Sequence, residues 1–191
     1  MKISSKITLI SFCTSLFLAS SAYASPYINA QVGFFGFEVV NTTPYSSSEE
    51  HNLGANLRIG VGKLWSVNDC LQLGLETGAN VFGSHGDTLL NGTIDYDRYS
   101  FDLLAVADQH ITRRFDIFAK AGFAYAKDEY TFRNFLFNHT ISNSAIVPKG
   151  VLGIGYDVTE RINLNLAYNK EFHANNVNDI SFLTAGLNIK F

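Results

Sequence analysis

Cysteine is scarce in this chain: there are two among 191 residues, Cys13 and Cys70. The first lies inside an amino-terminal apolar run and the second stands alone, so the folded part has neither an internal disulfide nor a Cys-based metal motif. Long apolar runs are missing as well. The one sustained run, residues 7–18, is twelve residues long, against the roughly 20 that a membrane-crossing helix needs. There is no basic cluster, and the formal net charge is −3, which gives nucleic-acid binding no footing.

The short apolar run has a different use. Lys2 and Lys6 precede it, and Ala22-Tyr23-Ala24 follows with small residues at both recognition positions. These are the three parts of a secretory signal, residues 1–24, with cleavage expected after Ala24. Cys13 sits within the run rather than after the cleavage site, which argues against a lipoprotein anchor. Residues 25–191 remain as one domain of 167 residues, and loss of the two lysines moves the net charge to −5.

That domain alternates with period two rather than with a helical period. Eight segments each carry one apolar parity: 28–34, 53–61, 71–81, 99–107, 115–125, 150–156, 162–168 and 183–191. Their 39 apolar-parity positions hold no charge, although 16% of the chain is charged and about six would be expected. The opposite parity carries Arg58, Glu76, Arg98, Asp102, Asp116, Lys120, Lys149, Arg161 and Lys190. Lipid outside and a polar interior explain this asymmetry, since a mid-membrane Lys or Arg facing lipid costs roughly 2–4 kcal/mol. A slip of one residue would turn all those charges into lipid. A soluble lipocalin-like barrel would place its aliphatic residues inside and its charges in water.

The fold class expected is therefore all-β: an eight-stranded antiparallel transmembrane β-barrel. Its connections alternate between short turns (66–70, 109–114, 157–160) and longer polar loops (39–52, 83–95, 127–143, 173–179), as periplasmic turns and extracellular loops do. Phe115, Tyr156 and Phe191 fall at the turn side, and Phe34, Tyr99, Tyr125 and Tyr168 toward the loops, which suits two interfacial girdles.

Residues 184–191 alternate to an aromatic end and place Gly186 mid-strand. The run, with Ile189 and Phe191, resembles the terminal strand that the outer-membrane barrel assembly machinery reads, and that machinery is the partner the resemblance implies. Across most of residues 25–191 the sequence resembles the OmpA transmembrane domain. Pro26-Tyr27-Ile28-Asn29-Ala30-Gln31-Val32-Gly33 is similar to that family's first strand and Asn52-Leu53-Gly54-Ala55 to the start of its second. Gly74-Leu75-Glu76-Thr77-Gly78 is similar to its third strand, and residues 116–122 to its fifth. Gly153-Ile154-Gly155-Tyr156-Asp157-Val158-Thr159 and Leu166-Ala167-Tyr168 are similar to its sixth and seventh. The resemblance implies a Gram-negative outer-membrane location and contact with lipid and lipopolysaccharide. No linker or peptidoglycan-binding domain is expected after Phe191.

The family's interior holds a charged network implicated in gating. Glu76 and Lys120 keep its strand-three acid and strand-five base, whereas Val106, Gly155 and Asn165 stand at its other charged positions. Arg58, Glu76, Asp102 and Lys120 are expected to pair in the lumen, because eight strands enclose room for side chains or one small ligand. Some barrels of this size are lipid A deacylases with a His-x-Ser-Asn motif. Here the nearest stretches are His173-Ala174-Asn175-Asn176 with Asp179, which puts an amide at the nucleophile, and His139 with Ser142, one residue too far apart. His51, His85, His139 and His173 fall one to each expected loop. Four imidazoles at one rim would suit zinc or copper, but loop spacing gives no support, and solvated histidines need no ligand. Tyr130, Phe132, Phe135 and Phe137 would form an adhesive patch or extend a hairpin.

The function expected is thus non-enzymatic and without cofactor: a monomeric barrel giving structure to the membrane and presenting surface loops, as an adhesin or receptor for an external ligand. A lipid A-modifying enzyme and a small channel are the alternatives.

Overall fold

The computed structural model describes residues 24–39, 50–53, 55–89, 92–134, 138–172 and 179–191. They form β1 (Ala24–Val39), β2 (Glu50–Leu53), β3 (Asn56–Ser66), β4 (Leu71–Leu89), β5 (Gly92–His110), β6 (Phe115–Asn134), β7 (Asn138–Asp157), β8 (Ile162–Glu171) and β9 (Asp179–Lys190). β2 and β3 lie end to end along one edge of β1, opposite residues 36–39 and 24–33. The wall therefore has eight staves, each antiparallel to the next, and β9 closes on β1 from Tyr27 opposite Lys190 to Val39 opposite Asp179. Through the body of the barrel each stave is paired on both sides, as hydrocarbon requires; beyond it, among the described residues, β2 pairs with β1 alone.

The two parities separate as the sequence dictates. Of the apolar-parity positions whose side chains are described, none is buried. Arg58, Glu76, Arg98, Asp102, Asp116, Lys120 and Lys149 are buried inside. One expectation fails: Arg161 is exposed in the turn before β8, at the water-side limit of the sheet, where parity no longer separates lipid from lumen. Lys190 keeps the inward parity, half-exposed at the turn-side mouth and 3.5 Å from Asp157.

At that end the three turns, residues 67–70, 111–114 and 158–161, share one construction. Val67, Ile111 and Val158 donate their N–H groups to the carbonyls of Leu71, Phe115 and Ile162. The side-chain oxygens of Asn68, Thr112 and Thr159 then accept two backbone N–H groups each. Such side-chain-capped turns are the role for which Asn and Thr are selected. Phe115 and Tyr156 pack at 4.9 Å between ring centroids beside them.

At the opposite end two expected loops are largely ladder. β4 and β5 continue past an irregularity between Phe82 and His85 to Leu89 opposite Gly92. β6 and β7 pair as far as Arg133 opposite Asn138. Polarity alone made 83–95 and 127–143 read as loops. Thr, Tyr, Ile and Phe residues in both arms favour extended backbone, and a hairpin can continue into water once its ladder has started. Tyr130 and Phe132 thus belong to the extended hairpin, opposite Ile141 and His139; Phe135 and Phe137 lie outside the described residues. Below that tip Lys127 pairs with Glu129 at 2.5 Å, and its hydrogen bond holds the Glu129 carboxyl below the usual range.

Candidate functional site in the barrel lumen

Period-two alternation sends side chains from all eight staves into the lumen, and β3 to β8 contribute buried charges. Lys120, Glu76, Arg58 and Asp102, from β6, β4, β3 and β5, meet there. Lys120 Nζ lies 2.7 Å from Glu76 Oε2, Arg58 Nη1 lies 2.7 Å from Glu76 Oε1, and Arg58 Nη2 lies 2.6 Å from Asp102 Oδ1. Tyr27 donates its hydroxyl to Glu76 Oε2 at 2.6 Å, and Arg58 donates to Asn29 Oδ1 at 2.9 Å.

The chain of charges does not stop at Asp102. Lys149 Nζ bridges Asp102 Oδ2 at 2.8 Å and Glu171 Oε1 at 3.1 Å. Glu171 Oε2 then lies 2.7 Å from Arg98 Nη2, and Arg98 Nη1 lies 3.5 Å from Asp128 Oδ1. Lys120, Glu76, Arg58, Asp102, Lys149, Glu171, Arg98 and Asp128 therefore alternate in sign along one connected path. Each is buried. Desolvating so many ions is costly, and it is offset because each has at least one partner of opposite sign and the six inner members have two.

Glu171 and Asp128 are the members that sequence reasoning missed. The seventh apolar segment was ended at Tyr168, yet the inward parity continues through Asn163, Asn165, Ala167 and Asn169 to Glu171, all buried. Extending the alternation by three residues would have found it. Asp128 fell in a stretch read as loop.

Toward the turns the lumen changes character. Val106, at one of the charged positions of the OmpA-like pattern, packs with Tyr27 and Leu64, and Leu104, Phe118, Val151 and Ala167 form a neighbouring apolar cluster. A Cβ on Gly155 would fall 2.2 Å from Asp116 Oδ1, so the Asp116 carboxylate occupies the space a larger side chain would need. Asn165 accepts a hydrogen bond from Gln31 at 3.0 Å. The gating arrangement implied by the OmpA resemblance is therefore not assembled: at its three other charged positions stand an apolar contact, a glycine over which the Asp116 carboxylate lies, and an amide pair. The space between Tyr27, Leu64, Val106 and Phe118 is about 10 Å³, enough for about one water at most.

At the turn-side mouth His110 lies 3.6 Å from Asp108 and 3.7 Å from Asp157, and Asn163 donates to Asp116 at 2.7 Å. No group of residues suited to a metal ion occurs among the described residues. His51, His85 and His139 lie on strands opposite Glu38, Tyr96 and Phe132, but their side chains fall outside the described residues, as does all of His173 with Ala174, Asn175 and Asn176. Ser142 is exposed on β7 opposite Glu129.

In the terminal strand Gly186 lies opposite Gln31 and Ile189 opposite Ile28, with Phe191 exposed beyond them.

A family model described as outer membrane protein beta-barrel domain matches residues 7–191. No curated protein matches the sequence. Among solved structures, the attachment invasion locus protein Ail of Yersinia pestis is similar at a TM-score of 0.58 and 10% identity, covering 90% of this chain and 100% of its own. Neisserial surface protein A has a TM-score of 0.57 at 17% identity, with 88% of this chain and 99% of its own covered. OprG of Pseudomonas aeruginosa has a TM-score of 0.52 at 16% identity, with 89% and 96% covered. At such identities the likeness is one of fold.

Proposed function

Because this chain belongs to the outer membrane protein β-barrel family and so resides in the outer membrane, we propose that it is a non-enzymatic barrel whose filled interior holds surface-exposed segments for contact with an external ligand, as an adhesin or receptor does. The observation that carries the reading is the unbroken path of eight alternating buried charges. An interior knit this tightly favours a rigid support over a conduit, and segments mounted on rigid supports are where binding concentrates. The barrel acts as a monomer, and its terminal strand is read by the assembly machinery.

A channel would need a continuous wet path, which the apolar contact of Val106, Tyr27 and Leu64 opposes. A lipid A hydrolase would need a nucleophile beside a base. Among the described residues, Ser100 hydrogen-bonds Glu171 deep in the lumen with no imidazole adjoining, and His110 sits at the turn end.

The test compares bacteria displaying this chain with bacteria displaying a version whose residues 40–49 and 135–137 are replaced by Gly and Ser. Adhesion of the first to a host-cell monolayer, lost in the second at equal surface abundance, is the expected result. Equal adhesion of both, or a lipid A mass spectrum altered by the protein, would overturn the reading.

A further inference from the structure

The lipid-facing wall carries a groove of about 540 Å³ across β5, β6, β7 and β8. Its floor follows one hydrogen-bonding row, in which Ala105 lies opposite Ala121, Ala121 opposite Gly150, and Gly150 opposite Lys170. One bank is Leu152 with Tyr168, the other Phe172. Staves of such barrels tilt by about 35–45°, so the row climbs obliquely. It starts at Ala105 in the turn-side half of β5 and ends at Lys170 beside the loop-side limit of β8.

Gly150 is the informative residue. A glycine within a strand marks a bulge, a sharp bend or a site of close approach. The ladders on both sides of Gly150 run through it without a register shift. A Cβ placed there would meet only Phe172, at 3.8 Å. Neither the backbone nor the barrel's own packing requires the missing side chain; what it leaves is open depth in the groove. Lys170 closes the upper end. It is half-exposed on the outward parity and lies 5.2 Å from the Phe172 ring, with no acidic partner among the described residues.

We propose that this groove binds one acyl chain of a phosphate-bearing lipid of the outer leaflet, lipid A, with the Lys170 ammonium on the phosphate. The course of the row matches this occupant, apolar along its length and cationic at the level of the headgroups. The concavity between aromatic banks fits a rod of chain width better than it fits the convex wall of a second barrel. The proposal requires membrane residence alone and is independent of what the surface segments bind.

The test is native mass spectrometry of the full-length folded protein in detergent micelles, titrated with bisphosphorylated lipid A and with its dephosphorylated form. The wild type is expected to retain one bisphosphorylated lipid A and to prefer it to the dephosphorylated form. Gly150→Leu, which fills the groove, should weaken binding by at least about tenfold, since chain burial supplies the affinity. Lys170→Gln should weaken it about fivefold and remove the preference for phosphate. Gly150→Ala, with an intermediate loss, serves if the leucine variant fails to fold by circular dichroism. Equal binding by the wild type and the folded Gly150 variants would overturn the proposal, as would indifference of the wild type to phosphate. Wild-type dimers that vanish on filling the groove would assign it to a second copy of the chain instead.

Discussion

The guanidinium of Arg58 grips the Asp102 carboxylate side-on across an intervening strand, with Nη2 2.6 Å from Oδ1 and Nε 3.1 Å from Oδ2. The pair joins β3 to β5 over the inner face of β4 and links the turn-side half of the charge path to the loop-side half. Arg58→Met should leave the path one buried positive charge short, with Lys149 alone between Asp102 and Glu171, and cost about 3–5 kcal/mol. Replacing both, as Arg58→Met with Asp102→Leu, leaves Lys120 with Glu76 and Lys149 with Glu171, so most of the loss should return. Urea midpoints of the refolded protein in lipid vesicles measure both variants; a double variant no better than the single one would refute the account.

Gly78 is what lets the two residues meet. A Cβ at this position would fall 2.7 Å from Arg58 Nη2, and the guanidinium cannot swing away without giving up Asp102 or Glu76. Gly78→Val is expected to destabilise the barrel by about 1–3 kcal/mol through overpacking. Its effect should shrink when Arg58 is already methionine, a coupling that a double-mutant cycle reads directly.

Glu171 and Glu129 make a contrasting pair. Glu171→Gln removes the charge shared by Lys149 and Arg98 deep in the lumen and should lower stability about as much as Arg58→Met. Glu129→Gln breaks a pair in contact with water, where ion pairs contribute little, so its unfolding midpoint should stay where it is. Parallel urea titrations settle both.

Adjacent residues of β5 should respond oppositely to charge. Leu103 faces lipid and Asp102 the lumen. Leu103→Arg should cost roughly 2–4 kcal/mol near the bilayer midplane and reduce the folded fraction in vesicles, although it lies one position from a residue that is charged by requirement.

Phe191 is 71% exposed, whereas its backbone N–H donates to the Pro26 carbonyl at 3.0 Å. Phe191→Ala should therefore leave the unfolding midpoint almost unchanged while slowing insertion by purified assembly machinery. Loss of stability without loss of rate would remove the terminal residue from the role of recognition signal.

The wall was legible in the sequence because the boundary between lipid and lumen acts on every second residue, so each segment declares its register independently. Parity placed Arg58, Glu76, Asp102 and Lys120 among nine inward charges, and the OmpA resemblance drew attention to Glu76 and Lys120 within that set. Which charges touch across the lumen was less accessible, because it depends on the stagger of staves that are remote in sequence. Lys149 was visible as an inward cation, but of its two partners only Asp102 was, since Glu171 lies just beyond the last position at which apolar residues mark the alternation. Arg161 was misplaced for the converse reason: period two continues on paper into a turn where there is no lipid to select against charge. The extended hairpins were missed because outside the bilayer a strand has no need of apolar residues.

The ladder between β1 and β9 differs in kind from the others. Every other neighbour in the wall is reached by the next stretch of chain, but this one joins residues as distant as Tyr27 and Lys190, 163 positions apart. Contacts so remote form slowly, because much of the chain must be ordered before they can pair. β1 must therefore spend the longest time waiting with an unpaired edge, and the order of events in folding is set by when its partner arrives. The same ladder is the natural place for a mature barrel to part first, so amide exchange at the inner pairs of β1 and β9 should outpace that at the equivalent depth in β5 and β6.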